Sequence, residues 1–196
     1  MQTKVGTDHT RSTALKRTSN LSVLHLTGAL DEIVPAIRAL PKDFSETFDG
    51  FARPVLAVRS SRTALIARST ETDWLFASME RMLAFSNTAF GFKLSGLERS
   101  MSVVQYEEGA ALDWHVDTGT TNWSGEVRKV SLTLQLSAAS EYAGGELEFC
   151  GCPPEPFAKT VGTVIAFPSF MSHRVTPLTG GMRLALVAFA VGPPFR

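Results

Sequence analysis

From Phe92 onward the chain breaks into short runs rich in β-forming residues, and this pattern restricts the fold more than any other feature. The runs are 97–106, 111–116, 129–136, 146–150, 163–167, 173–177 and 182–191, with Gly109, Gly144-Gly145, Gly162 and Gly180-Gly181 between them. Many short strands at such spacing point to a sandwich or barrel. The first half reads differently. Residues 72–85 carry Trp74, Leu75, Met79, Met82 and Leu83 as an apolar stripe at helical spacing, with Thr72 placed to cap the start. That stripe reads as core packing against a sheet. Residues 31–40 form a second, shorter helix, with Pro35 in its first turn and Pro41 just past its end. Residues 21–26, 55–58 and 64–67 are candidate strands, and the polar segment 1–20 reads as a mobile tail before a single domain over 21–196.

A chain of 196 residues buries roughly 70% of its unfolded surface and needs no disulfide or structural metal to fold. Lysine plus arginine equal aspartate plus glutamate, 19 against 19, with no basic stripe. Nucleic acid is disfavoured as a partner, because phosphate binding depends on clustered positive charge. No stretch approaches a membrane span, and no signal-peptide pattern is evident. The only cysteines, Cys150 and Cys152, flank Gly151 and read as free thiols. The expected compartment is the cytoplasm.

The chemistry concentrates in four residues of the β-rich half. His115 and Asp117 lie two apart, so on one strand they would share a face. His173 stands after the run Phe167-Pro168-Ser169-Phe170-Met171-Ser172, and Arg183 follows inside an apolar stretch. Alone, H-x-D is a weak signal, since single histidines on strands are commonly structural and aspartates near strand ends are commonly turn residues. Two histidines and one carboxylate with open coordination positions are, however, the ligand set of non-haem Fe(II) oxygenases. Arg183 among Leu184, Ala185 and Leu186 is costly to bury without an anion, and a guanidinium grips a carboxylate bidentately. An internal salt bridge is the alternative for Arg183. His9 and His25 read as solvated or structural.

The surrounding motifs resemble a known family. Tyr106-Glu107-Glu108-Gly109-Ala110-Ala111-Leu112-Asp113-Trp114-His115-Val116-Asp117 is similar to the Y-x-x-G-x-x-Y-x-x-H-x-D segment of prolyl-4-hydroxylase-type 2-oxoglutarate/Fe(II) oxygenases. Tyr142-Ala143-Gly144-Gly145-Glu146-Leu147 resembles their Y-x-G-G-E-L turn. The block from Gly162 to Phe167, then His173-Arg174-Val175-Thr176-Pro177-Leu178 and Gly181-Met182-Arg183, resembles their last ligand and arginine strands. The likeness covers about residues 102–191, and one position departs from it: Leu112 replaces the second tyrosine.

The resemblance implies a mainly β fold with flanking helices, a double-stranded β-helix (jelly-roll, cupin-like) barrel under an N-terminal helical layer. It implies His115, Asp117 and His173 as iron ligands and Arg183 as the partner of the distal carboxylate of 2-oxoglutarate. Tyr106 would line the co-substrate pocket. Ser131, Thr133 and Gln135 share one face of their strand by alternation and are candidates to touch the co-substrate; an outward-facing strand is the alternative. The implied reaction consumes O2 and 2-oxoglutarate, releases succinate and CO2, and hydroxylates an unactivated C–H bond, with ascorbate as an auxiliary cofactor. Retention of Asp117 argues against a halogenase.

The leading substrate is a prolyl or other amino-acid side chain, free or in a peptide, and a small natural-product intermediate is the runner-up. Trp114, Trp123 and Phe189 are candidate substrate contacts, and the loop over 118–127, which carries Trp123, reads as a lid. DNA-repair oxygenases of the broader superfamily carry a second arginine where Phe189 stands. Two rivals remain: a non-catalytic metal-binding β-barrel, and a jelly-roll enzyme that uses no 2-oxoglutarate. Arg183 and the scarcity of further histidines weigh against them.

Overall fold

The computed structural model describes residues 15–18, 23–46, 61–121, 125–152 and 159–195. A 3-10 turn at Asp31–Ile33 leads into helix α1, Val34–Ala39, with Pro35 in the first turn. Helix α2, Asp73–Phe90, buries Leu75, Phe76, Met79 and Leu83 on one face. Trp74 falls outside that face and is 36% exposed. Thr72 occupies the N-cap position, but its hydroxyl turns back to the preceding loop. It accepts from the Ser69 amide at 2.9 Å and donates to the Ala67 carbonyl at 2.7 Å. The helix runs past Phe85 to Gly91, whose left-handed φ of +68° ends it. Asn87 then closes the turn, bonding both the amide and the carbonyl of Phe92.

Among the described residues, fifteen strands follow the chain order β1 Leu15–Thr18, β2 Val23–Leu26, β3 Ser45–Glu46, β4 Arg62–Ala67, β5 Gly96–Leu97, β6 Ser100–Tyr106, β7 Leu112–His115, β8 Thr120–Thr121, β9 Glu126–Gln135, β10 Tyr142–Gly144, β11 Leu147–Phe149, β12 Val164–Pro168, β13 His173–Val175, β14 Leu178–Gly181 and β15 Arg183–Gly192. Ten of them form one antiparallel sheet along the path β1-β2-β12-β9-β15-β6-β4-β3, with β5 on β15 and β8 on β9. The strands β11-β13-β7 make a separate sheet, and β10 pairs only β14. Within the expected tail, β1 pairs antiparallel with β2. The strand candidate at 55–58, His9 and Trp123 lie outside the described residues.

Alternation sorts the large sheet into two faces. On β9, Val130, Leu132 and Leu134 enter the main core, and on β15 so do Leu184, Leu186, Ala188 and Ala190. That core also contains Val34 and Ile37 of α1 and Leu75, Phe76, Met79 and Leu83 of α2, so the helices cover one face. Each such side chain contributes roughly 1.5–3 kcal/mol by leaving water. The opposite face presents Ser131 and Thr133 of β9 with Arg183, Ala185, Val187 and Phe189 of β15 to a cleft.

The mainly β architecture with flanking helices is present, but the expected jelly-roll barrel is not. Among the described residues the sheets are open: the ten-stranded ladder ends at β1 and β3, and neither smaller sheet joins it through a strand ladder. Glycine corners break the continuity. Gly144, Gly145 and Gly181 all have positive φ, and a Cβ on Gly181 would collide with the Glu141 carbonyl. Among the described residues β10 and β14 pair with each other and not with the large sheet. At the other side, β2 and β1 extend the edge beyond β12. The result is two sheets facing across a cleft.

Candidate metal centre and active-site cleft

His115 and His173 come from neighbouring strands of the small sheet and stand opposite each other in register. Their rings lie 4.2 Å apart between centroids. The Nδ1 atom of His115 is 2.8 Å from the Asp113 carbonyl, and that of His173 is 3.0 Å from the Met171 carbonyl. A carbonyl only accepts, so each Nδ1 carries the proton and each Nε2 holds a lone pair. Ligating histidines are oriented by this kind of contact.

Asp117 reaches the same point from beyond the end of β7, not from the strand itself. Its amide and that of Thr118 both donate to the Ser169 carbonyl, at 2.9 and 3.0 Å. Its Oδ1 lies 3.5 Å from Nε2 of His115 and its Oδ2 3.5 Å from Nε2 of His173. Val116 between them is 49% exposed. The Ser131 hydroxyl donates to Asp117 Oδ2 at 2.7 Å and also meets the Ser169 hydroxyl at 3.0 Å.

Burial pushes the Asp117 carboxyl up, yet contact with His115, the charge of His173 and the Ser131 hydrogen bond together hold it below the usual carboxylate range. Burial pushes the His173 imidazole below its ordinary value, with Asp117 opposing. Each Asp117 carboxylate oxygen thus faces an imidazole Nε2 at 3.5 Å, too far for a hydrogen bond. One ligand atom from each of His115, Asp117 and His173 lies within 4.8 Å of the others. Converging lone pairs without an intervening proton fit a bound cation, and this donor set suits divalent iron.

The cluster opens into a cleft of about 630 Å³. Its walls are largely apolar: Leu112, Leu147 and Val175 from the small sheet face Val104, Ala185 and Val187 from the large one. Leu112, the departure from the tyrosine pattern, is thus a wall residue. Arg183 lines the same cleft while only 3% exposed. Its Nε donates to Gln135 Oε1 at 3.2 Å, and its guanidinium lies 5.5 Å from the Tyr106 ring centre. Among the described residues no carboxylate lies within ion-pair distance of it, so the internal salt bridge does not form. Gly145 explains one motif glycine: a Cβ there would stand 2.6 Å from Leu178 Cδ1 and 3.4 Å from Arg183 Cδ.

Tyr106, Ser131, Thr133 and Phe189 also line the cleft, whereas Gln135 is fully buried behind Arg183. Phe189 lies under the Arg128 guanidinium at 3.8 Å, which Glu98 holds through two hydrogen bonds of 2.7 and 3.1 Å. Trp114 is turned away from the cleft, 42% exposed beneath Arg174 at 4.8 Å. Ser169 was missed by sequence reasoning; its proximity to His173 in the chain was the available signal.

Residues 101–191 match the family model described as the 2OG-Fe(II) oxygenase superfamily. A PKHD-type hydroxylase of Gloeothece citriformis is 36% identical over 91 residues, covering 46% of this chain and 41% of that protein. One of a Picosynechococcus species is 33% identical over 126 residues, 63% of this chain and 57% of that protein. The chain spans about half the length of the curated relatives it matches. Among solved structures, a Pseudomonas putida prolyl-4-hydroxylase superposes with a TM-score of 0.66 at 18% identity, covering 88% of this chain and 93% of that one. A Trichoplax adhaerens prolyl hydroxylase, in complex with a hypoxia inducible factor peptide fragment, gives 0.66 at 17% identity, covering 87% and 84%. At these identities the structures speak for the fold alone. Sequence and site together make the chain a match to the 2OG-Fe(II) oxygenase superfamily, with PKHD-type hydroxylases as relatives.

Proposed function

We propose that this chain catalyses the 2-oxoglutarate- and O2-dependent hydroxylation of an unactivated C–H bond. One observation carries the reading: a 2-His-1-carboxylate cluster and a buried arginine with no counter-ion among the described residues line one cleft. His115, Asp117 and His173 would hold ferrous iron, which when bound supplies O2 activation coupled to decarboxylation of the co-substrate to succinate. Arg183 would grip the distal carboxylate of 2-oxoglutarate through a charge-assisted fork. Tyr106, Thr133 and Ser131 form the polar lining along the co-substrate's path. Ser131 orients Asp117 through its hydrogen bond. The apolar walls exclude water from the reacting centre. A metal site serving structure alone would have no use for the uncompensated Arg183.

The substrate we favour is a prolyl or other amino-acid side chain, in a peptide or free. The prolyl hydroxylase names of the fold neighbours support this choice, as does a cleft whose walls offer no charge beyond the cluster and Arg183. Phe189, backed by Arg128, would be the floor for that side chain. Ascorbate enters the reading as the reductant that keeps the metal ferrous. Among the described residues, no helix is long and apolar enough to cross a membrane.

The test is succinate release from 2-oxoglutarate by anaerobically Fe(II)-loaded protein once O2 is admitted. Slow uncoupled turnover is expected in the wild type and loss of it in His115→Ala and Arg183→Ala. Equal succinate in all three proteins would reject the reading.

A further inference from the structure

We propose that Gln135 is a positioning residue for the co-substrate carboxylate, acting through Arg183 and not by contact; this rests on the 2-oxoglutarate reading above. Gln135 is fully buried, does not line the cleft, and uses both ends of its amide. Its Nε2 donates to the Ser137 carbonyl at 2.8 Å and to the Tyr142 hydroxyl at 3.0 Å. A carbonyl cannot donate and a guanidinium cannot accept, so the amide has one workable orientation. Oε1 must face Arg183.

That orientation decides which edge of the guanidinium is offered to a ligand. Nε is taken by Gln135 at 3.2 Å. Nη1 and Nη2 make no hydrogen bond to any described residue, and Arg183 lines the cleft. The side-on edge is therefore blocked, and the terminal pair is left to receive a carboxylate end-on. The backbone is fixed by a residue just beyond the same strand: Ser137 Oγ accepts from the Leu184 amide at 3.0 Å. The end of β9 and the residues just past it thus hold the Arg183 side chain and the main chain beside it.

The neutral amide matters as much as its geometry. A carboxylate at position 135 would supply the buried guanidinium with an internal counter-ion and compete with the ligand for it. Gln135 orients the charge without cancelling it.

The test compares wild type, Gln135→Glu and Gln135→Met by calorimetric titration of anaerobic, Fe(II)-loaded protein. The ligands are 2-oxoglutarate and 2-oxobutyrate, which lacks the distal carboxylate. Expected is a loss of at least about tenfold in 2-oxoglutarate affinity for Gln135→Glu, a smaller loss for Gln135→Met, and unchanged 2-oxobutyrate affinity in both. In turnover, KM for 2-oxoglutarate rises while kcat at saturation stays within about threefold. If both variants keep the wild-type preference for the dicarboxylate, or lose both ligands equally, Gln135 is merely structural and the inference falls. If wild type itself binds no 2-oxoglutarate, the co-substrate reading falls first and takes this inference with it.

Discussion

Ser131 and Asp117 are joined by a 2.7 Å hydrogen bond on the carboxylate oxygen that also faces His173. Groups that orient a ligand in this way typically change metal affinity 10–100-fold when removed. Ser131→Ala is expected to weaken binding of Fe(II) or Mn(II) by about that factor, read by anaerobic titration calorimetry, while leaving the metal-free melting temperature nearly unchanged. Metal affinity equal to wild type would show that Ser169 alone holds Asp117 in place.

Arg183 sets ligand binding against stability. It is a buried charge with no carboxylate beside it among the described residues. Replacing buried ionic groups by apolar ones of similar size often stabilises a protein by roughly 1–4 kcal/mol. Arg183→Met is therefore expected to unfold at higher denaturant than wild type in the absence of ligand. It should also lose the stabilisation that saturating 2-oxoglutarate gives the metal-loaded wild type, about 2.7 kcal/mol at a hundredfold excess over Kd. Paired urea titrations with and without 2-oxoglutarate measure both effects.

The helical layer should be separable from the chemistry. Phe76 of α2 is fully buried in the main core. Phe76→Ala is expected to lower stability by roughly 3–5 kcal/mol, while metal affinity of the folded fraction stays within about twofold of wild type. Chemical denaturation gives the first quantity and calorimetry the second.

An acid-sensitive link ties α1 to the segment before β10. Arg38 holds Glu141 through two hydrogen bonds of 2.8 and 3.0 Å. The Arg38 hydrogen bond, aided by the Ala138 amide and opposed by burial, keeps the Glu141 carboxyl below its ordinary value. A depressed carboxyl stabilises the fold above its unfolded value, about pH 4.3, and loses that contribution as pH falls through the folded one. Both side chains are about one-third exposed, 38% and 33%, so screening limits the effect to less than about 1 kcal/mol. Arg38→Met should flatten the stability profile below pH 5 and leave the metal site untouched, as urea midpoints across pH 3–7 would report.

Much of this was legible in the chain because it rests on spacing. Alternation along β9 foretold that Ser131, Thr133 and Gln135 share a face, and H-x-D with a distant histidine drew attention to the cluster the fold assembles. Features that depend on distant backbone were not legible. Closure of a barrel is decided by whether edge strands far apart in sequence pair, and no local pattern records that β1 and β3 end the ladder. Ser169 acts on Asp117 through its main-chain carbonyl, which every residue possesses. Gln135 read as a co-substrate contact because its face was right; its depth behind Arg183 depends on Tyr142 and Ser137. Thr72 misled for a similar reason, since its hydroxyl had a loop partner as well placed as the helix.

Strand β15 works as a ruler. Arg183, Ala185, Val187 and Phe189 line the cleft in alternate positions, from a buried guanidinium to an aromatic ring. At about 3.3 Å per residue, that span is on the order of 20 Å. A single inserted residue between Arg183 and Phe189 would turn one end of the row toward the helices and bury a guanidinium in hydrocarbon. The reach of this cleft wall is therefore a quantised dimension: its length changes only two residues at a time.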